Sequence, residues 1–129
     1  MTERIKRTAS AQGRASRDKG KRFERDIASF FKGYGITARR TAQFCGKTGQ
    51  AGDVEGVPGI HIECKAVEKL NLEAAYQQSV RDAEAAGKGE YPIVVHKKTR
   101  RPAMVTMALE DWIVMYLAWR KECDEYEKG

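Results

Sequence analysis

No stretch of this 129-residue chain approaches the run of about 20 apolar residues that a membrane-spanning helix requires. The N-terminal segment MTERIKRTASAQGRASRDKGKR lacks an apolar core, so no secretory signal is expected. Cysteine is scarce. Cys45, Cys64 and Cys123 are odd in number, far apart and form no CxxC pair, which argues against a disulfide framework and a zinc site and points to a reducing cytoplasm. There is no internal repeat. An apolar fraction of 41% supports a core of modest size, so one compact domain is expected.

A charge excess is also missing from most of the chain. Residues 1–25 hold nine Lys or Arg against three acids, which already equals the full net charge of +6, so the remainder is balanced. A basic arm (1–18) on a neutral domain (19–129) fits a polyanion, most often nucleic acid; the bland alternative is a solubilising tail. An acidic membrane surface fits less well, because the arm has no large apolar face. Residues 1–18, rich in Arg, Lys, Ser, Ala and Gly, are expected to be mobile without a ligand.

From Lys19 the pattern becomes helical, with Phe23, Ile27, Phe30 and Phe31 recurring on one side and Gly33 and Gly35 as the stop. ITARRT (36–41) reads as a first strand and AQFCGKTGQAG (42–52) as a loop. Strands near 53–56 and 60–66 flank Val57-Pro58-Gly59. Asn71 can cap a helix to about Ala86, with Leu72, Ala75, Tyr76, Ser79, Val80 and Ala83 inward. YPIVVHK (91–97) and PAMVTMAL (102–109) read as two more strands. The last helix, about 110–125, is apolar all round at WIVMYLAW (112–119). It has two faces to cover: one can be the core and the other a partner subunit, or both can be buried in its own domain. The order α-β-β-β-α-β-β-α implies an α/β sandwich around a mixed sheet.

The chemistry concentrates in GDVEGVPGIHIECK (52–65). Alternation along the strand sends Ile60, Ile62, Cys64 and Ala66 one way, onto the core. His61, Glu63 and Lys65 go the other way, to a cleft or to solvent. If the turn holds an odd number of residues, Asp53 pairs with Glu63 on the same face, with Cβ atoms about 4.5–5.5 Å apart. A two-residue Pro-Gly turn would instead put Asp53 on the opposite face, and the turn type stays open. Two adjacent carboxylates repel unless a proton or cation sits between them, and a divalent metal such as Mg²⁺ is the natural occupant. Lys65, beside them, can hold or polarise an attacking water and offset charge on a phosphorane. An E-x-K pair on an exposed strand is by itself common decoration. Glu24, on the rim of the first helix's apolar stripe, can point into the same cleft or simply pair with a nearby cation. His61 reads as an ordinary strand residue rather than a general base.

On Glu24, Asp53 after Gly52, and ECK at 63–65, the chain resembles the PD-(D/E)XK nuclease superfamily over roughly residues 19–109. Within it, the likeness is to Holliday junction resolvases of the archaeal type and their bacteriophage relatives. NLEAAYQQSVRDA (71–83) and YPIVVHKKTRRPAMVTM (91–107) resemble later segments of phage members. The resemblance implies a restriction-endonuclease-like α-β-β-β-α-β core, a mixed central sheet flanked by helices, a Mg²⁺ site that Mn²⁺ can fill, and a homodimer, here through the 110–125 helix. Its function would be that of a structure-selective DNA endonuclease, resolving four-way junctions in phage recombination or replication within the host bacterial cytoplasm. Alternatives are a nuclease for flaps, nicked or specific duplex, and a non-catalytic DNA-binding module.

By the same resemblance, Asp53, Glu63, the backbone carbonyl of Cys64 and Glu24 fall at metal positions. Lys65 is the catalytic lysine, and Gln78 matches a helical glutamine near the site, with Gln77 as the other candidate. Gly52 stands where the superfamily name has proline. Candidate phosphate contacts are Arg14, Arg17, Lys19, Lys21 and Arg22 on the arm and first helix, Arg39, Arg40 and Lys47 around the glycine-rich loop, and Lys97, Lys98, Arg100 and Arg101 as a second patch.

Overall fold

A computed structural model of the chain describes residues 8–42 and 51–128; Cys45 and Lys47 lie outside them. The elements run α1 (Ala9–Lys32), β1 (Arg39–Arg40), β2 (Val54–Glu55), β3 (Ile60–Lys65), α2 (Leu72–Ala86), β4 (Tyr91–His96), β5 (Met104–Thr106) and α3 (Leu109–Lys128). The five strands lie side by side in sequence order. Only β3 and β4 are parallel, joined by the crossover through α2; every other neighbour pair is antiparallel. This is the mixed, helix-flanked α/β sheet of the restriction-endonuclease-like class.

Helix α1 begins ten residues before Lys19, where the sequence pattern starts it. The Thr8 hydroxyl caps it by accepting from the Ala11 N–H, and Ala9, Ala11 and Ala15 favour helix without needing an apolar stripe. Residues 9–18 are therefore helical and continuous with the segment that packs on the sheet. Phe23, Ile27 and Ala28 are buried against Val54, Ile62, Cys64, Ile93 and Val95, with Phe31 partly buried beside them. Full burial of side chains such as Ile62 is worth about 1.5–3 kcal/mol each. Phe30, expected in that stripe, is 59% exposed and instead meets Phe31 and Tyr34 edge-on.

The other face of the sheet belongs to α2. Asn71 caps it through the Ala74 N–H, as its sequence implies, and Gly87 ends it in the left-handed conformation. Of the inward stripe, the small residues Ala75, Ser79 and Ala83 are buried, and the Ser79 hydroxyl donates to the Ile93 carbonyl at 2.9 Å. Small side chains let the helix come close. As a result His61 and Glu63 are buried, not open to a cleft or solvent as alternation alone suggests.

The β2–β3 connection resolves the question of register. Ile60 N–H donates to Val57 C=O at 3.2 Å, and Gly59 has φ +85°, which is a two-residue Pro-Gly turn of type II character. Yet the ladder pairs Val54 with Ile62, the register expected of the longer loop. The β2 side carries one more residue than the β3 side between turn and ladder. Gly56, at φ +88°, absorbs it as a bulge, so Asp53 still falls opposite Glu63.

Helix α3 has no buried residue. The expectation that one of its faces joins the core is therefore not met. Trp112, Leu117 and Trp119 are 47%, 60% and 57% exposed, and Trp112 stacks on Tyr116 of the same helix at 5.2 Å. Among the described residues, no helix is long and apolar enough to cross a membrane.

Candidate functional site

Asp53 sits one residue before β2, where its chain passes very close to β3. A Cβ on Gly52 would lie 2.5 Å from the Ile62 carbonyl oxygen, so only glycine fits there. Proline, which the superfamily name puts at this position, would meet the same backbone. Thr41 holds the segment from the other side: its hydroxyl donates to the Gly52 carbonyl, and its N–H donates to the Asp53 carbonyl at 2.9 Å. The Asp53 N–H donates to Ile62 C=O at 2.7 Å, and Asp53 Oδ2 accepts from the Cys64 N–H at 2.7 Å.

Glu63 lies beside it on β3. Burial and the adjacent Glu63 charge push the Asp53 carboxyl up to about 6, against the pull of the Cys64 N–H and of Lys65. Two carboxylates held together out of water thus keep a proton up to about pH 6, and a cation would displace it. That donor set fits a hard divalent ion: Asp53 and Glu63 would hold it, and each is an oxygen ligand. The Cys64 side chain offers nothing comparable. Burial and the neighbouring acids raise its thiol far above the usual range, so it carries no thiolate.

Glu24 approaches from α1. Its Oε2 accepts from Arg40 Nε at 2.7 Å in a half-buried ion pair. Burial raises its carboxyl, Arg40 opposes this, and the Asp53 charge raises it further, which places Glu24 within electrostatic reach of Asp53. Lys65, half-buried at the end of β3, acts on Asp53 from the other direction.

Of the two glutamines, Gln78 is half-buried and Gln77 exposed. One turn beyond Gln78 on α2, Asp82 approaches His61 and Glu63; donor atoms of the three lie within 4.8 Å of one another. His61 Nε2 is 3.1 Å from Glu63 Oε1, and the His61 side chain is only 1% exposed. Sequence reasoning set His61 aside and did not reach Asp82. The available signal was Asp82 four residues after Gln78, next to the buried Ala83.

The cationic candidates divide. Lys19 and Arg22 of α1 meet Lys97, Lys98 and Arg100 around one cleft of ≈ 200 Å³. That cleft adjoins the site: Lys97 N–H donates to Lys65 C=O at 3.0 Å, and Ala66 lines the cleft wall. Arg14, Arg17 and Lys21 are exposed along α1. Arg101 lines a second cleft, with Leu70, His96 and Met104. Arg39 is already bound to Glu55 at 2.7 Å, and Arg40 to Glu24, so both are engaged within the chain.

Comparison with known proteins agrees with this geometry. Residues 15–127 match the family described as "Phage putative PDDEXK endonuclease". No curated protein matches the sequence. Among solved structures, the chain is similar to Hjc, a Holliday junction resolvase from Archaeoglobus fulgidus. The TM-score is 0.52 at 24% identity, covering 68% of this chain and 76% of that one. With the family model spanning nearly the whole chain, this protein belongs to the phage PDDEXK endonuclease family.

Proposed function

We propose that the chain is a metal-dependent endonuclease that cuts branched DNA, with the four-way junction as its substrate in phage recombination or replication. The observation that carries this reading is the convergence of Asp53, Glu63 and Lys65 at one end of β3, beside a cleft lined by five cations. Asp53 and Glu63 would hold Mg²⁺ or Mn²⁺, with the Cys64 carbonyl and Glu24 completing the protein's share. When bound, the ion supplies Lewis acidity and positive charge at the scissile phosphate.

The chain's own residues supply the remainder. The Lys65 ammonium, on the face of Glu63, orients the attacking water and offsets charge developing on the phosphorane. Gln78, the half-buried one of the two neighbouring glutamines on α2, is the candidate for the helical glutamine of the site. Arg40 holds Glu24 in place and is not free for DNA. Lys19, Arg22, Lys97, Lys98 and Arg100 receive backbone phosphates, which position DNA without reading bases. That suits selection by shape, and the likeness to a Holliday junction resolvase supports a branched substrate.

A junction presents two strands to be cut symmetrically, so a homodimer follows. Helix α3 is the surface that suits it. None of its apolar residues is buried among the described residues, and antiparallel pairing with a second α3 would set Glu110 and Asp111 against Arg120 and Lys121.

The test is incubation with Mg²⁺ and labelled junction, flap and linear DNA, alongside Glu63→Ala and Lys65→Ala. Both variants should bind junctions and fail to cut. Equal cutting by wild type and variants removes the site; symmetric nicks confined to four-way junctions separate a resolvase from other nucleases.

A further inference from the structure

Glu63 is 4% exposed, unusually deep for a carboxylate that must also meet a metal ion and a phosphate. A buried carboxylate needs a donor for each oxygen it does not give to a cation. On the side away from the basic cleft, that donor is His61. Both residues project from β3 toward α2, and Nε2 stands 3.1 Å from Oε1. We propose that His61 is a positioning residue: it donates its Nε2–H to Glu63 and fixes the plane of that carboxylate, leaving the second oxygen for the ion.

Three features favour this over an independent metal site at His61. The imidazole is almost wholly enclosed, whereas hard divalent ions keep several waters and need room for them. The Glu63 carboxylate already lies against Asp53, so its free oxygen has a use on that side. Asp82 lies on the α2 side, within 4.8 Å of both His61 and Glu63 donor atoms. A rotation that carried the Glu63 carboxylate still closer to Asp82 would crowd two negative charges, so Asp82 opposes the rotation that the His61 hydrogen bond prevents. Donors to ligating carboxylates typically change metal affinity about 10–100-fold when removed.

This inference rests on the metal-site reading of Asp53 and Glu63, and the experiment separates the two. Mn²⁺ binding to the full chain is measured by the fraction of free ion, for wild type, Glu63→Gln, His61→Leu and His61→Gln. Thermal unfolding of each checks the fold. Glu63→Gln should abolish the site; if it binds as wild type does, the metal-site reading itself fails. With that control in place, His61→Leu should weaken binding about 10–100-fold at unchanged stoichiometry, and His61→Gln, which keeps a donor, should restore most of it. Wild-type affinity in a folded His61→Leu overturns the proposal, as does loss of a second bound equivalent, which would make His61 a ligand. Should His61→Leu not fold, ¹⁵N spectra of the wild-type imidazoles decide. The chain has only two histidines, and His61 must show the Nε2–H tautomer. The Nδ1–H tautomer refutes donation to Glu63.

Discussion

The main-chain N–H of Cys64 donates to Asp53 Oδ2 at 2.7 Å, so the aspartate side chain makes a contact across the sheet that strand backbone would otherwise make. This ties the first acid to the residue directly after the second. It also explains why Asp53 remains beside Glu63 although burial, and then the Glu63 charge, raise its carboxyl to about 6.

That raised value has a consequence for stability. From its ordinary value of 3.8, Asp53 in the metal-free folded protein retains a proton that the unfolded chain has already lost between about pH 4 and pH 6. The folded state therefore loses stability through this window as pH rises, by on the order of 2–3 kcal/mol for this group. Asp53→Asn cannot ionise. Its stability advantage over wild type should be near zero at pH 4 and fully grown by pH 7, as urea unfolding at the two pH values would show. Saturating Mg²⁺ should reduce that advantage by stabilising the wild type. An advantage independent of pH would mean that Asp53 ionises normally.

Gly56 decides which face Asp53 occupies. Its φ of +88° is costly for any residue with a side chain, and a Cβ there would collide with the Thr37 carbonyl. Gly56→Ala should cost about 1–3 kcal/mol from conformation alone, and more from the collision. Because the bulge sets the register, Mn²⁺ binding should weaken as well. The exposed turn glycine Gly59 also has positive φ, but open space surrounds its Cβ position. Gly59→Ala should lose stability and keep metal binding. Equal retention of Mn²⁺ affinity in both variants would detach register from the site.

The same segment shows what was legible in the sequence. The pairing of Asp53 with Glu63 followed from alternation and an assumed odd loop; the structure reaches that pairing by another route, a Pro-Gly turn corrected at Gly56. Local turn chemistry and strand register are separate constraints, and a bulge reconciles them without leaving an obvious mark in composition. The cap at Asn71 was readable because the chemistry of one side chain suffices. The burial of His61 and Glu63 was not, because it depends on how closely α2 can approach. Nor was the early start of α1: Thr8 and the alanines after it lie in a segment whose charge reads as an arm. Arg40 looked like a phosphate contact because its Glu24 partner is 16 residues away in the chain.

DNA binding should depend unequally on the cations. Each phosphate contact removed should lower the slope of log affinity against log salt by about 0.9. Replacing Lys97, Lys98 and Arg100 with alanine should flatten that slope markedly, since all three line the cleft beside Lys65. Deleting residues 2–18 should do the same through Arg14 and Arg17. Arg39→Ala should change it little, because Glu55 already holds that guanidinium. A slope that falls as much for Arg39→Ala as for Lys98→Ala would show that the ion pair opens to receive DNA.

Helix α3 supplies the last prediction. Soluble proteins seldom leave a contiguous apolar face of this kind uncovered. Here Trp112, Tyr116 and Trp119 cluster along one side, and Leu109 and Leu117 are 76% and 60% exposed beside them. Since none of α3 is buried in its own chain, changing its face should leave the core intact. Wild type should therefore sediment as a dimer at micromolar concentration. Leu117→Glu combined with Trp119→Glu should sediment as a monomer that unfolds with similar cooperativity and still binds Mn²⁺. Junction cleavage should lose its symmetry in the monomer, because one active site reaches one strand at a time. A wild type that stays monomeric at those concentrations, with or without junction DNA, would leave α3 without the second copy that its exposed apolar face calls for.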